Sequence, residues 1–173
     1  MNSTRRLTHL SLLVSIGLAL SVIESTLPPL FPIPGAKLGL ANIATVIALY
    51  LYGPAMALEV TLYRSILGGV LRGSLVGLFL SFSGGLLSTI LMILLFTLFS
   101  RYLSQVGISV AGAVTHNATQ LACAYLLVRH TALFLYLPYM ILIAIPTGLV
   151  VGFSARRVSN SLEALAYNGG LGR

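Results

Sequence analysis

The sequence predicts an all-α integral membrane protein, a bundle of six transmembrane helices forming one domain. Three observations carry that expectation. Of 173 residues, 57 % are hydrophobic and only 8 % are charged, where a soluble domain is about a quarter charged. The apolar residues fall into six runs separated by helix breakers, at 7–27, 38–52, 54–71, 75–99, 110–128 and 133–153. The arginines stand singly or in pairs at the edges of those runs, which is how membrane topology is written. So apolar a chain could not stay solvated and unfolded. A soluble body of this size also has too much surface to hide it.

Each run is measured against the roughly 20 helical residues that cross the hydrocarbon core. The first follows Arg5 and Arg6 and could be mistaken for a signal peptide. Its length, the acid Glu24 and the five later runs favour a retained helix. The second has only 15 residues, so it is expected to tilt or to follow a re-entrant stretch. Gly53-Pro54 allows only a tight turn, which makes the second and third helices antiparallel neighbours. The fourth run is long enough to span outright, and the fifth opens at Val110. The sixth contains Pro138 and Pro146, each able to kink a helix. One transmembrane domain is expected over 1–173, with 160–173 a frayed cytoplasmic tail.

Six spans put both termini on one side of the cell membrane. That side collects Arg5, Arg6, Arg101, Arg156, Arg157 and Arg173, and the other collects Lys37, Arg72 and Arg129. The imbalance predicts a multi-pass protein with both termini in the cytoplasm.

Composition excludes several activities. There is no aspartate, hence no DDxxD magnesium motif, and the only acids are Glu24, Glu59 and Glu163. The single lysine, Lys37, precedes Leu38, so no GxxxxGK[ST] phosphate loop exists. One cysteine, Cys123, forbids an internal disulfide or a CxxC site. There is no GxSxG, and no carboxylate is spaced beside His116. Neither catalytic residues, a metal site, a cofactor nor a nucleic-acid partner is expected.

In lipid, helices associate by close backbone approach, so small residues four apart mark contacts. The first helix has two such stripes, Ser11/Ser15/Ala19 and Gly17/Ser21/Ser25. One suffices for the bundle, which leaves the other to dock a partner. Ser81, Gly84, Gly85 and Ser88 on the fourth helix, and Ala144, Gly148 and Gly152 on the sixth, read as internal packing.

Placed by helical rise, the polar residues sort into two layers. Glu24, Lys37, Asn42, Arg72, Arg129 and His130 fall near the outer surface. Glu59, His116 and Asn117 fall in the inner half, with Arg64 and Gln120 near the middle. The positive outer layer favours a carboxylate or phosphate ligand. His116, Gln120 and Cys123 share a helical face with Asn117 beside them, an arrangement read as an interhelical hydrogen-bond knot. Glu59 is placed to pair with His116 or Arg64, completing a polar network of Glu59, Arg64, His116, Asn117 and Gln120. The loop Pro28-Pro29-Leu30-Phe31-Pro32-Ile33-Pro34-Gly35 is apolar yet cannot form helix or ladder. It reads either as a lid or as a structural cap.

The run Pro34-Gly35-Ala36-Lys37-Leu38-Gly39-Leu40-Ala41-Asn42-Ile43 resembles the signature of the Gx transporter family, often labelled heptaprenyl diphosphate synthase component I. Ser83-Gly84-Gly85-Leu86-Leu87-Ser88 and Gly112-Ala113-Val114-x-His116-Asn117-x-x-Gln120 resemble its other two blocks. That family is similar in turn to the S components of energy-coupling-factor importers. The resemblance implies an S-component-like bundle holding a small solute near the outer leaflet under the loop between helices one and two. It implies docking on a transmembrane coupling protein, driven by two ATPases, through Ser11, Ser15 and Ala19. Substrate contacts are then expected from Lys37, Arg72, Glu24, Asn42 and Phe31, with Ser83, Gly84 and Gly85 allowing close approach to helix four. The family label implies the alternative of a non-catalytic subunit that binds an isoprenoid diphosphate or quinone and partners a prenyl transferase.

Overall fold

The computed structural model describes residues 3–26 and 39–168. Six α-helices and one short 3-10 helix make up the described chain, with no strand among those residues. Among the described residues, three stretches are long and apolar enough to cross a membrane, Ser3–Thr26, Leu75–Phe99 and Thr131–Leu162.

Helix α1 (Ser3–Thr26) buries Leu13, Val14, Gly17, Ser21 and Glu24, one face at three- and four-residue spacing. Helix α2 (Asn42–Tyr52) has 11 residues, of which seven are buried and the others half-buried. Apolar all round, it fits only the middle of the bundle. Its run was expected to begin at residue 38. Instead Gly39, at φ +88°, turns the chain, and its carbonyl accepts from the Asn42 N–H at 2.9 Å.

Gly53, also at positive φ, closes α2, and Pro54 opens α3 (Pro54–Arg72), where its missing donor costs nothing. These two helices pack together as the tight turn requires. Gly73 in the left-handed region ends α3, and Ser74 caps α4 (Leu75–Phe99) by accepting from the Gly77 N–H at 3.0 Å. Ser104 caps α5 (Gln105–Val128) in the same way, accepting from Gly107 at 3.1 Å. The cap starts α5 five residues ahead of the expected Val110.

Arg129 takes the left-handed position after α5, and its Nε donates to the Leu126 carbonyl at 3.1 Å. The 3-10 helix Thr131–Tyr136 then leads into α6 (Leu137–Asn168). One expectation for this segment is corrected. Pro138 stands in the first turn of α6, where no intrahelical donor is needed, so only Pro146 is interior. The helix continues through Asn168. The stretch Leu162-Glu163-Ala164-Leu165-Ala166 consists of strong helix formers, which carry the helix past the polar Ser159–Ser161 segment.

Helix α1 packs on α2 and α3, α2 on α3 and α6, and α3 to α6 pack in chain order. The tightest approach joins α5 and α6. A Cβ on Gly148 would stand 2.7 Å from Val110 Cα, and one on Gly152 would stand 2.8 Å from Val106 Cα. The Ser109 hydroxyl donates across the seam to the Gly148 carbonyl at 2.9 Å. Because backbone blocks each site, Gly148→Leu is expected to cost on the order of 3 kcal/mol, measured as thermal unfolding in detergent. A second polar seam joins α2, α3 and α4, where the buried hydroxyls of Thr45, Thr61 and Thr89 bond in series at 2.9 Å each.

Candidate functional site

Antiparallel alternation of α1, α2 and α3 brings the end of α1, the start of α2 and the end of α3 to one end of the bundle. A hollow opens there, lined by Ser21 and Glu24 of α1, Gly39 and Ala41, Arg64, Ser65 and Arg72 of α3, Ser81 of α4 and His116 of α5. Such a concentration of polar groups inside an apolar bundle is costly unless a partner or a ligand meets them.

The lining is held by hydrogen bonds between elements. Glu24 Oε1 accepts from the Gly39 N–H at 2.6 Å, tying α1 to the turn before α2. Arg64 Nη2 donates to Asn42 Oδ1 at 2.9 Å, tying α3 to α2. Arg72 Nη1 donates to Ser21 Oγ at 2.9 Å, tying α3 to α1. Glu24 and Arg64 are each only 7 % exposed. Arg64 and Arg72 both feel the charge of Glu24. Two guanidinium groups against one carboxylate leave the described lining with one positive charge in excess.

Glycines admit the long side chains. A Cβ on Gly17 would stand 2.5 Å from Arg64 Cδ, so the arginine stem crosses α1 where no side chain projects. A Cβ on Gly84 would stand 3.2 Å from His116 Nδ1, and one on Gly85 would stand 3.2 Å from Ser65 Oγ. Close approach to helix four is therefore used by neighbouring side chains of the protein. Ser83 is half-buried and does not line the hollow.

Of the expected substrate residues, Glu24 and Arg72 line the hollow, and Asn42 braces it through Arg64. Lys37, Phe31 and the Pro28–Gly35 loop lie outside the described residues. The two-layer sorting needs correction at Arg64 and His116, both of which line the same hollow as Glu24. The early start of α5 places His116 about 17 Å along its helix rather than about 9 Å. The arginine reaches outward from α3 on its own long stem.

Of the expected polar network, Arg64 and His116 meet at the hollow, and Glu59 is bonded elsewhere. Glu59 forms an ion pair with Arg6 near the start of α1, away from Arg64 and His116. Both lie within the first turns of adjacent helices, so that contact is the nearer one. Asn117 Nδ2 donates to the Met140 carbonyl at 3.1 Å, and Gln120 packs against the Gly84 position with His116. Among the described residues, no three His, Cys, Asp or Glu side chains come together as metal ligands would. Ser11, Ser15 and Ala19 are exposed on α1, while Gly17 and Ser21 of the second stripe are buried.

Ser21, Gly39, Ala41, Ser65 and Ser81 were not singled out as ligand contacts. Ser21 carried a signal, since Gly17, Ser21 and Glu24 share a face. Arg64, Gly68 and Arg72 likewise repeat at four-residue spacing toward one end of α3.

The model of the family heptaprenyl diphosphate synthase component I matches residues 13–158. Among solved structures, the chain is similar to the S component of a bacterial ECF transporter. The two share 21 % identity with a TM-score of 0.58, over 99 % of this chain and 100 % of that one. No curated protein matches the sequence.

Proposed function

Because the chain belongs to the heptaprenyl diphosphate synthase component I family and has the fold of an ECF transporter S component, we propose that it is the substrate-binding membrane subunit of an importer of that type. The observation that carries this reading is the polar, positively charged hollow buried at one end of an otherwise apolar bundle. All six helices cross the membrane, with α2 as the short central member, and both termini are cytoplasmic. The hollow then opens at the outer leaflet, on the side of Lys37, Arg72 and Arg129. It captures a small anionic or amphipathic solute. Lys37 attracts the ligand's negative group, Phe31 belongs to the cover, and no chemistry is performed on the solute.

The exposed Ser11/Ser15/Ala19 stripe is the docking surface for a transmembrane coupling protein, which two ATPases drive. Purifying the chain from its native membrane tests this directly. Recovery of a coupling protein and ATPases supports the importer, and recovery of a soluble prenyl transferase contradicts it. Lys37→Ala is expected to weaken ligand affinity on the order of tenfold, the loss typical of one charge-assisted hydrogen bond. Unchanged uptake and affinity would remove Lys37 from the site.

The family's description favours a second reading, an accessory subunit that binds an isoprenoid diphosphate or a quinone beside a prenyl diphosphate synthase. The chain's lack of aspartate makes that role non-catalytic as well.

A further inference from the structure

Among the described residues, four buried polar atoms in the hollow have no hydrogen-bond partner: Arg64 Nε, Ser65 Oγ, Ser81 Oγ and His116 Nδ1. Their residues are 7 %, 2 %, 9 % and 4 % exposed, so bulk water does not satisfy them. An orphaned polar atom in such a place is costly, and few are kept without a reason. Here four converge on one hollow from α3, α4 and α5.

Two further facts define what would satisfy them. The described charges are Arg64 and Arg72 against Glu24, an excess of one positive charge. A neutral occupant leaves that charge uncompensated, and an anionic one offsets it. The hollow is also compact. Ser65 Oγ and Arg64 Nη2 lie 3.2 and 3.7 Å from the Cβ position of Gly85, and His116 Nδ1 lies 3.2 Å from that of Gly84.

Resting on the importer reading, we propose that the solute is a small carboxylate with a neighbouring hydroxyl or carbonyl group. Arg64 and Arg72 hold the carboxylate, with Arg64 Nε–H as the arm available in this structure. Ser65 and Ser81 meet the neighbouring polar group. Arg64 and the two serines select for charge and for the substituent respectively.

The test uses the full chain in detergent and four probes: lactate, propionate, lactamide and inorganic diphosphate. Affinity is read by equilibrium binding and by the thermal midpoint. Lactate is expected to bind about tenfold more tightly than propionate, because a site built to hydrogen-bond a hydroxyl rejects the analogue lacking it. Lactamide is expected to give no shift, and diphosphate to bind more weakly than lactate.

Ser65→Ala and Ser81→Ala are expected to keep the ligand-free midpoint, since neither hydroxyl makes a hydrogen bond that would be lost. Both should reduce lactate binding to the level of propionate. The proposal is overturned if diphosphate binds more tightly than lactate, if lactamide matches it, or if no carboxylate shifts the midpoint. It is equally overturned if either alanine variant lowers the ligand-free midpoint, which marks the hydroxyls as structural. The importer reading fails separately, on partner recovery, which needs no ligand.

Discussion

Arg64→Ala is expected to destabilise the ligand-free protein by on the order of 3 kcal/mol and to abolish ligand binding. The stability loss follows from what the guanidinium holds. It donates to Asn42 Oδ1 and stands in the field of Glu24, with both partners buried. Removing one member of such a buried set strands the others. Its aliphatic stem also fills the space over Gly17, so alanine leaves a gap between α1 and α3. Arg64→Lys keeps the charge but not the planar fork, and should retain more stability than binding. Thermal unfolding and ligand binding, measured on both variants, separate the two contributions. A stable alanine variant that binds normally would remove Arg64 from the site.

The second large effect is expected at the opposite face of α1. Ser15→Leu should leave folding and ligand binding intact and reduce uptake at least tenfold, with loss of the coupling protein from the purified complex. Ser15 is exposed, so a longer side chain meets nothing within the subunit. At a helix contact built on small residues, however, leucine separates the two backbones. Gly17 gives the contrasting control, because a side chain there meets Arg64 and disturbs the subunit itself. Normal uptake by Ser15→Leu would place the docking surface elsewhere.

Helix order was legible because the breakers are chemically plain. Gly53-Pro54 and Gly73-Ser74 can hardly sit inside helices, and the structure turns at both. The start of α5 was not legible, because Gln105-Val106-Gly107 reads as loop until Ser104 is seen capping it. That five-residue error displaced His116 in depth and made it look like part of an inner knot.

The site was legible in part for a related reason. Helical rise places a Cα atom, not the end of an arginine, so Arg64 was assigned to mid-membrane while its guanidinium reaches Asn42. Ser65 was not singled out, and Ser81 was read only as internal packing. A serine in a membrane helix most often bonds its own backbone, and only the three-dimensional arrangement reveals that these two do not.

The central claim is that the polar hollow opens on the outer face of the membrane. Membrane-impermeant thiol labelling of intact cells tests it most directly, with Cys123→Ser as the background. Leu75, exposed at the start of α4 near Arg72, and Tyr102, exposed in the turn between α4 and α5, mark the two ends of the bundle. Leu75→Cys should be labelled in intact cells, and Tyr102→Cys only after the cells are opened. The reverse pattern would turn the hollow toward the cytoplasm and contradict capture from outside.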